Sequence, residues 1–231
     1  MKKQILIIIL IIFSFKSNAQ NHNEYYENGA LKKSGELNKN GEPIGEWKAY
    51  YENGKLESIR NYENGLEVGE TKVFYENGQL KGIGNYKAGK EDGEFTLNHE
   101  KGQLSYIKNY KNGNLNGEWK AYFENGQIEF SRNYVNNIRT GESKSYYENG
   151  QLKLSGSYYD GEPTGEFKSY TRHDTLSAIN NYLNGKLHGE TKNFYFLKGE
   201  LHSVGYFENG HKIGEWKYYD TEGKVIDTKF Y

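Results

Sequence analysis

The 231-residue chain has no cysteine and only two prolines. The absence of thiols excludes disulfides, thiolate zinc sites, cysteine nucleophiles and lipoprotein-type lipid attachment. With so little proline and no Gly/Ser-rich run, nothing in the chain reads as a flexible linker between domains. Strongly apolar residues are also scarce: Leu, Ile, Val and Phe make up about a fifth of the chain, a level at which disorder becomes the default when net charge is high. Net charge here is only -1, from 30 basic and 31 acidic residues, so disorder does not follow. That balance also leaves no electrostatic footprint for nucleic acid. What the chain has instead is 22 Tyr, 3 Trp and 28 Gly. Tyr and Trp bury most of a ring while the polar end stays wet, and the glycine excess points to many tight turns.

The first twenty residues follow different rules. Lys2 and Lys3 precede an unbroken apolar run from Ile5 to Phe13, and Ser17-Asn18-Ala19 then places small residues where a signal peptidase reads. This pattern predicts a secretory signal peptide over residues 1–19, cut between Ala19 and Gln20. The run is too short for the ~20 residues that span a bilayer. Residues 20–231 are then expected as one exported domain, periplasmic, surface-bound or extracellular, with membrane binding disfavoured by a slightly acidic balance.

Internal repetition dominates the remainder. The glycine of a Gly-Glu pair falls at 45, 69, 93, 117, 141, 165, 189 and 214, a period of 24 residues with one step of 25. A second column, Gly41, Gly65, Gly89, Gly113, Asn137, Gly161, Gly185 and Gly210, keeps the same spacing, and a third runs from Gly29 to Gly223 with Asp174 as its one substitution. Asn-Gly pairs separate alternating segments, and this dipeptide accepts the positive φ angles of a type I′ hairpin turn. Each unit is therefore predicted to be a hairpin. Alternation places Trp47, Ala49 and Tyr51 on one face of the Glu46–Tyr51 strand and Glu46, Lys48 and Tyr50 on the other. A lone hairpin is marginal in water, so neighbours must stack in register. The expected fold is all-β: an elongated, twisted, single antiparallel sheet of about eight stacked 24-residue hairpins, or about sixteen strands.

The segments Tyr51-Glu52-Asn53-Gly54-Lys55-Leu56, Tyr75-Glu76-Asn77-Gly78-Gln79-Leu80 and Tyr147-Glu148-Asn149-Gly150-Gln151-Leu152, followed by Tyr-x-Asn-Gly and Gly-Glu-Trp-Lys, resemble variant MORN repeats. The arrangement is similar to that of the YwqK-type toxin-antitoxin system antitoxin family. The resemblance covers residues 24–223. It implies a hairpin-repeat scaffold for interaction, with no catalytic or cofactor residues to carry over.

The column Glu46, Glu70, Glu94, Glu118, Glu142, Glu166, Glu190 and Glu215 invites a paired-carboxylate mechanism. Lys follows by two residues in every unit but the one with Thr96, so charge pairing across strands on a solvated face accounts for both columns. The six histidines share no metal-ligand spacing, and neither a metal nor a cofactor is expected; nor is an enzyme. Two units are irregular: His99 stands in a Tyr position, and Thr171, Arg172, His173 and Asp174 replace Tyr-Glu-Asn-Gly. Such breaks mark bends, drift at loop tips or partner contacts. The aromatic rows are the expected partner-binding feature, with Trp47, Tyr51, Tyr75, Trp119, Phe123, Tyr147 and Trp216 as candidates, because interfaces are enriched in Tyr and Trp. The alternative is that these rings form the core of one face. The function expected is a non-enzymatic scaffold binding another protein, antitoxin-like or immunity-like. The other reading is a module that binds carbohydrate or cell wall through exposed aromatics.

Overall fold

The computed structural model describes residues 19–197 and 199–231. The expected signal segment therefore lies outside the described residues apart from Ala19. Twenty-one strands follow in order: β1 (Gln20–Tyr25), β2 (Leu31–Leu37), β3 (Pro43–Tyr50), β4 (Leu56–Glu63), β5 (Leu66–Glu67), β6 (Gly69–Phe74), β7 (Leu80–Lys87), β8 (Lys90–Glu91), β9 (Gly93–Asn98), β10 (Leu104–Lys111) and β11 (Asn114–Leu115). The second half continues with β12 (Gly117–Tyr122), β13 (Ile128–Val135), β14 (Ile138–Tyr146), β15 (Leu152–Tyr159), β16 (Glu162–Tyr170), β17 (Leu176–Leu183), β18 (Lys186–Phe194), β19 (Leu201–Glu208), β20 (His211–Tyr219) and β21 (Val225–Phe230). All pairings are antiparallel between successive long strands, with β5 and β6 both on β4, β8 and β9 both on β7, and β11 and β12 both on β10, giving one open, elongated meander. The surplus over the sixteen strands expected comes from the two end strands and from three two-residue pieces, β5, β8 and β11, each cut off by a bulge.

The two long edges use the Asn-Gly pair differently. Along one, Asn64 and Gly65 have φ of 49° and 79°, and Asn112 and Gly113 have 51° and 81°, the paired positive angles of a type I′ turn. Along the other, only the glycine is left-handed: Gly29 has φ 85°, the Gly29 amide donates to the Tyr26 carbonyl at 2.9 Å, and the Tyr26 amide donates to the Ala30 carbonyl at 2.8 Å. That is a type I turn closed by a glycine bulge, so the expectation of type I′ turns throughout is corrected for the Glu-Asn-Gly edge. There the Asn side chain works as an acceptor: Asn28 Oδ1 takes the Ala30 amide at 2.9 Å, and Asn53, Asn77, Asn125 and Asn149 act alike.

The Gly-Glu column makes a second bulge. Arg132 pairs with Ser143 but Asn133 pairs with Thr140, which leaves Gly141 and Glu142 unmatched on that side. The Asn133 side-chain Nδ2 donates to the orphaned Glu142 carbonyl at 3.0 Å, as those of Asn61, Asn109 and Asn181 do to the carbonyls of Glu70, Glu118 and Glu190. An unpaired backbone carbonyl costs about a hydrogen bond, so the Asn and Gly-Glu columns form one device. Turns also bond to turns: the amides of Gly65, Gly89, Gly113, Gly161 and Gly185 donate to carbonyls of the preceding unit.

The fully buried side chains sit almost entirely on the face of Trp47 and Ala49. Phe167, Trp216, Ala121, Ser58, Thr71, Ser143, Thr191 and Ser203 share that face, and none is on the Glu46/Lys48 face. The first is the core face, the second the solvent face.

Candidate partner-binding surfaces

On the core face, one position per unit carries Trp47, Thr71, Phe95, Trp119, Ser143, Phe167, Thr191 or Trp216. Where it is a ring, the strand before supplies Gly35, Gly84, Gly156 or Gly205, and a Cβ built there would stand 2.1–2.3 Å from the ring carbons of Trp47, Phe95, Phe167 and Trp216. Only glycine admits that approach. A tyrosine column flanks the rings edge-on, with Phe167 4.9 Å from Tyr182 and 5.6 Å from Tyr158 by centroid, and Phe95 5.1 Å from Tyr110 and 5.5 Å from Tyr86. Burial raises the hydroxyl pKa of Tyr62, Tyr86 and Tyr110 above the ordinary phenol value. Trp119 faces Lys108 instead of glycine, whose ammonium lies 4.5 Å from the ring centre. Trp216 is 2 % exposed and offers almost nothing to an outside molecule. Trp47 and Trp119 are half-buried.

Tyr51, Tyr75 and Tyr147 tie one unit to the next. Their hydroxyls donate to the carbonyls of Phe74 at 2.6 Å, Asn98 at 2.7 Å and Tyr170 at 2.8 Å; Tyr26 and Tyr195 do the same to Tyr50 and Tyr219. His99 keeps the tie, with Nε2 3.1 Å from the Tyr122 carbonyl oxygen; the carbonyl can only accept, so Nε2 carries the proton. Phe123 occupies the same column without a hydroxyl. In the other irregular unit, Thr171 is fully buried and its hydroxyl accepts the amides of His173 at 3.2 Å and Thr175 at 3.3 Å. Asp174 takes the glycine's left-handed place with φ 61°, a conformation Asp tolerates better than most residues. His173 stands exposed at the tip. The irregular units are thus still hairpins.

On the solvent face the Glu and Lys columns pair along each strand, two residues apart, where cross-strand pairing was expected. Seven such pairs span 2.6–3.1 Å, from Lys48–Glu46 to Lys217–Glu215. The reason is spacing: residues i and i+2 share a face, while the neighbour directly opposite each Lys is Ile59, Ile83, Ile107, Ile179 or Val204, or a serine. Lys120 holds the Glu118 carboxyl below the ordinary carboxylate range by a hydrogen bond, which burial opposes and the Ser131 hydroxyl reinforces. Pairs this exposed add little stability. Among the described residues no three His, Asp or Glu side chains converge to hold a metal ion.

One group of exposed apolar side chains lies on the type I′-turn edge, a position the sequence reading did not single out, and another on β21 with Val225, Ile226 and Phe230. On the turn edge the group spans three turns. Val135 and Ile138 flank one turn, Tyr159 the next and Leu183 the one after; Tyr159 is 75 % exposed and the others are near half. The turns are stacked: the Gly161 amide donates to the Arg139 carbonyl and the Gly185 amide to the Pro163 carbonyl, and a Cβ at Gly161 would touch Ile138 at 3.8 Å. Contiguous exposed apolar area of this kind marks interaction sites. On the other, core face of the same strands lie Arg139, whose guanidinium stacks 3.7 Å over Tyr158, and Arg132, 3.8 Å over Phe130.

The model of the MORN repeat variant matches residues 43–64, 67–88, 91–112, 115–136, 139–159 and 212–231. The chain belongs to the MORN repeat variant family. Five matched repeats run consecutively through the strand pairs from β3–β4 to β14–β15, and the sixth covers β20 and β21. No curated protein matches the chain. Among solved structures, a crystal structure of TcdB2-TccC3-TEV is 13% identical over 92% of this chain and 14% of its own, with a TM-score of 0.25. A Photorhabdus luminescens Tc holotoxin pore with the TccC3 mutation D651A is 14% identical over 90% of this chain and 13% of its own, with a TM-score of 0.16. The chain spans about a seventh of the length of these proteins.

Proposed function

We propose that this MORN-repeat chain is an exported, non-enzymatic scaffold that binds another protein through the type I′-turn edge of its sheet, centred on Val135, Ile138, Tyr159 and Leu183. The observation that supports it is the continuity of exposed apolar side chains on stacked, mutually bonded turns. A rigid row of this type presents area without the ordering entropy that a flexible loop would lose on binding. Neutralisation of a partner in the manner of an antitoxin or immunity protein is the finer form of this reading. Export rests on the Lys2-to-Ala19 pattern.

The test is recovery of a stoichiometric partner by tagged residues 20–231 from a cell-envelope extract, compared with the Ile138→Glu/Leu183→Glu variant. Recovery by the parent and loss in the variant is expected. Equal recovery by both places the contact elsewhere and overturns the edge assignment. Saturable sugar in the eluate, with no protein, replaces this reading by a carbohydrate module. The sugar reading has less support because the core-face rings lie against glycine backbone on one side and tyrosine edges at their flanks.

A further inference from the structure

Three units place a small hydroxyl where the others place a ring: Thr71, Ser143 and Thr191. Around Thr71 the arrangement is closed. Arg60 Nη1 donates to Glu67 Oε2 at 3.1 Å, and the Thr71 hydroxyl donates to Glu67 Oε1, so a single carboxylate satisfies both donors. Around Thr191 it is neutral, with the Thr191 hydroxyl donating to Asn180 Oδ1 at 3.3 Å and Leu187 standing in the Glu67 position.

The middle unit has the donors without the acceptor. Arg132, Arg139 and Ser143 stand three repeats on from Arg60, Glu67 and Thr71. Arginine therefore replaces the carboxylate. Arg139 Nη2 donates to Ser143 Oγ, and Ser143 is the cross-strand partner of Arg132, which places all three residues on one face of neighbouring strands. Among the described residues no carboxylate lies within ion-pair distance of either arginine, and the Nε atom of each has no acceptor. Stacking on Phe130 and Tyr158 holds both groups in place. Burial lowers the Arg139 pKa, and the Arg132 charge acts in the same direction. Two fixed, adjacent cations of this kind favour an incoming anion, and guanidinium matches carboxylate geometry in bidentate fashion.

We infer that Arg132, Arg139 and Ser143 form a carboxylate-binding site, occupied by an acidic side chain of the partner protein in the way Glu67 occupies the equivalent site from within the chain. This rests on the protein-binding reading and deepens it: Arg139 directly follows Ile138 in β14, so the site lies at the same turn edge but on the core face, while Ile138, paired with Val135, faces the other way.

The probe is sodium propionate, the end of a glutamate side chain, titrated against sodium chloride at equal ionic strength while the guanidinium Nε–H resonances are followed by NMR. Saturable shifts confined to Arg132 and Arg139 are expected in the parent. They are lost in Arg139→Glu, which rebuilds the closed trio, and in Arg139→Gln, which keeps a neutral side chain of similar reach should the first variant fold poorly. Absence of propionate-specific shifts in the parent, or equal shifts at Arg132 in both variants, overturns the site. Propionate binding together with undiminished partner recovery by Arg139→Gln overturns the assignment of the carboxylate to the partner. Propionate binding with no partner recovered by any form leaves the site standing and overturns the protein-binding reading.

Discussion

Phe167 on Gly156 and Ser143 beside Arg132 occupy the same place in adjacent units and fill it in opposite ways. In one, a ring lies against bare backbone, with the nearest ring carbon 2.3 Å from where a Cβ would be. In the other, a small hydroxyl leaves room that a long cation fills. Trp47 with Gly35, Phe95 with Gly84 and Trp216 with Gly205 follow the first pattern; Thr71 with Arg60 follows the second. Trp119 with Lys108 and Thr191 with Asn180 aside, these pairs set a large member against a small one. That is what a close-packed layer requires when its neighbours on both sides are set by the same 24-residue pitch. The second pattern sets an arginine beside a small hydroxyl on the core face, with no ring in that position to cover it.

The contrast can be broken most severely at the glycine. Gly156→Val is expected to cost about 3 kcal/mol, the upper end for overpacking against a side chain that cannot retreat, seen as a fall in the urea midpoint. Phe167→Ala should cost a similar ~3 kcal/mol by cavity formation. Converting the pair to the other pattern, Gly156→Arg with Phe167→Ser, should cost less than the sum of its single changes, with a coupling of about 1–2 kcal/mol in a double-mutant cycle; strict additivity would show that the two positions do not share volume. At the closed trio, Glu67→Gln should lose about 1 kcal/mol in low salt, and less in high salt, because the Arg60 pair is partly exposed.

Smaller effects separate the ties between units from the ornament on the solvent face. Tyr147→Phe removes the hydroxyl that reaches the Tyr170 carbonyl and should cost about 1 kcal/mol. Phe123→Tyr, at the one aromatic of that column without a hydroxyl between His99 and Tyr147, should gain a few tenths to about 1 kcal/mol if the new hydroxyl finds the next unit's carbonyl. Lys168→Ala, which deletes an exposed pair with Glu166 at 2.8 Å, should leave the urea midpoint unchanged within error. A large loss there would mean that the solvent face carries more of the stability than its exposure suggests.

The architecture was readable because its marks are backbone requirements. Glycine at 45, 69, 93 and onward sits at positive φ, where other residues are strained, so the spacing of Gly-Glu reports the spacing of bulges. The turn edges were harder. The same Asn-Gly pair makes a type I′ turn after Tyr-x and a type I turn with a bulge after Tyr-Glu, since the number of residues between strands, and not the dipeptide, selects the turn. The Tyr column was legible as a ladder, but not its use: Tyr51, Tyr75 and Tyr147 point their hydroxyls at the next repeat, a contact 23 residues away that alternation cannot show.

The amino-acid sequence by itself determined the repeat, its hairpins, their number and the two-faced alternation, because glycine placement and side-chain polarity act locally and recur at a fixed interval. Only the tertiary structure decided which face became the core, that the Glu and Lys columns pair along strands, and that Arg132 and Arg139 share the face of Ser143 with no carboxylate paired to either. Those outcomes depend on the register of neighbouring strands, which a shift of a single residue would have turned to the opposite face.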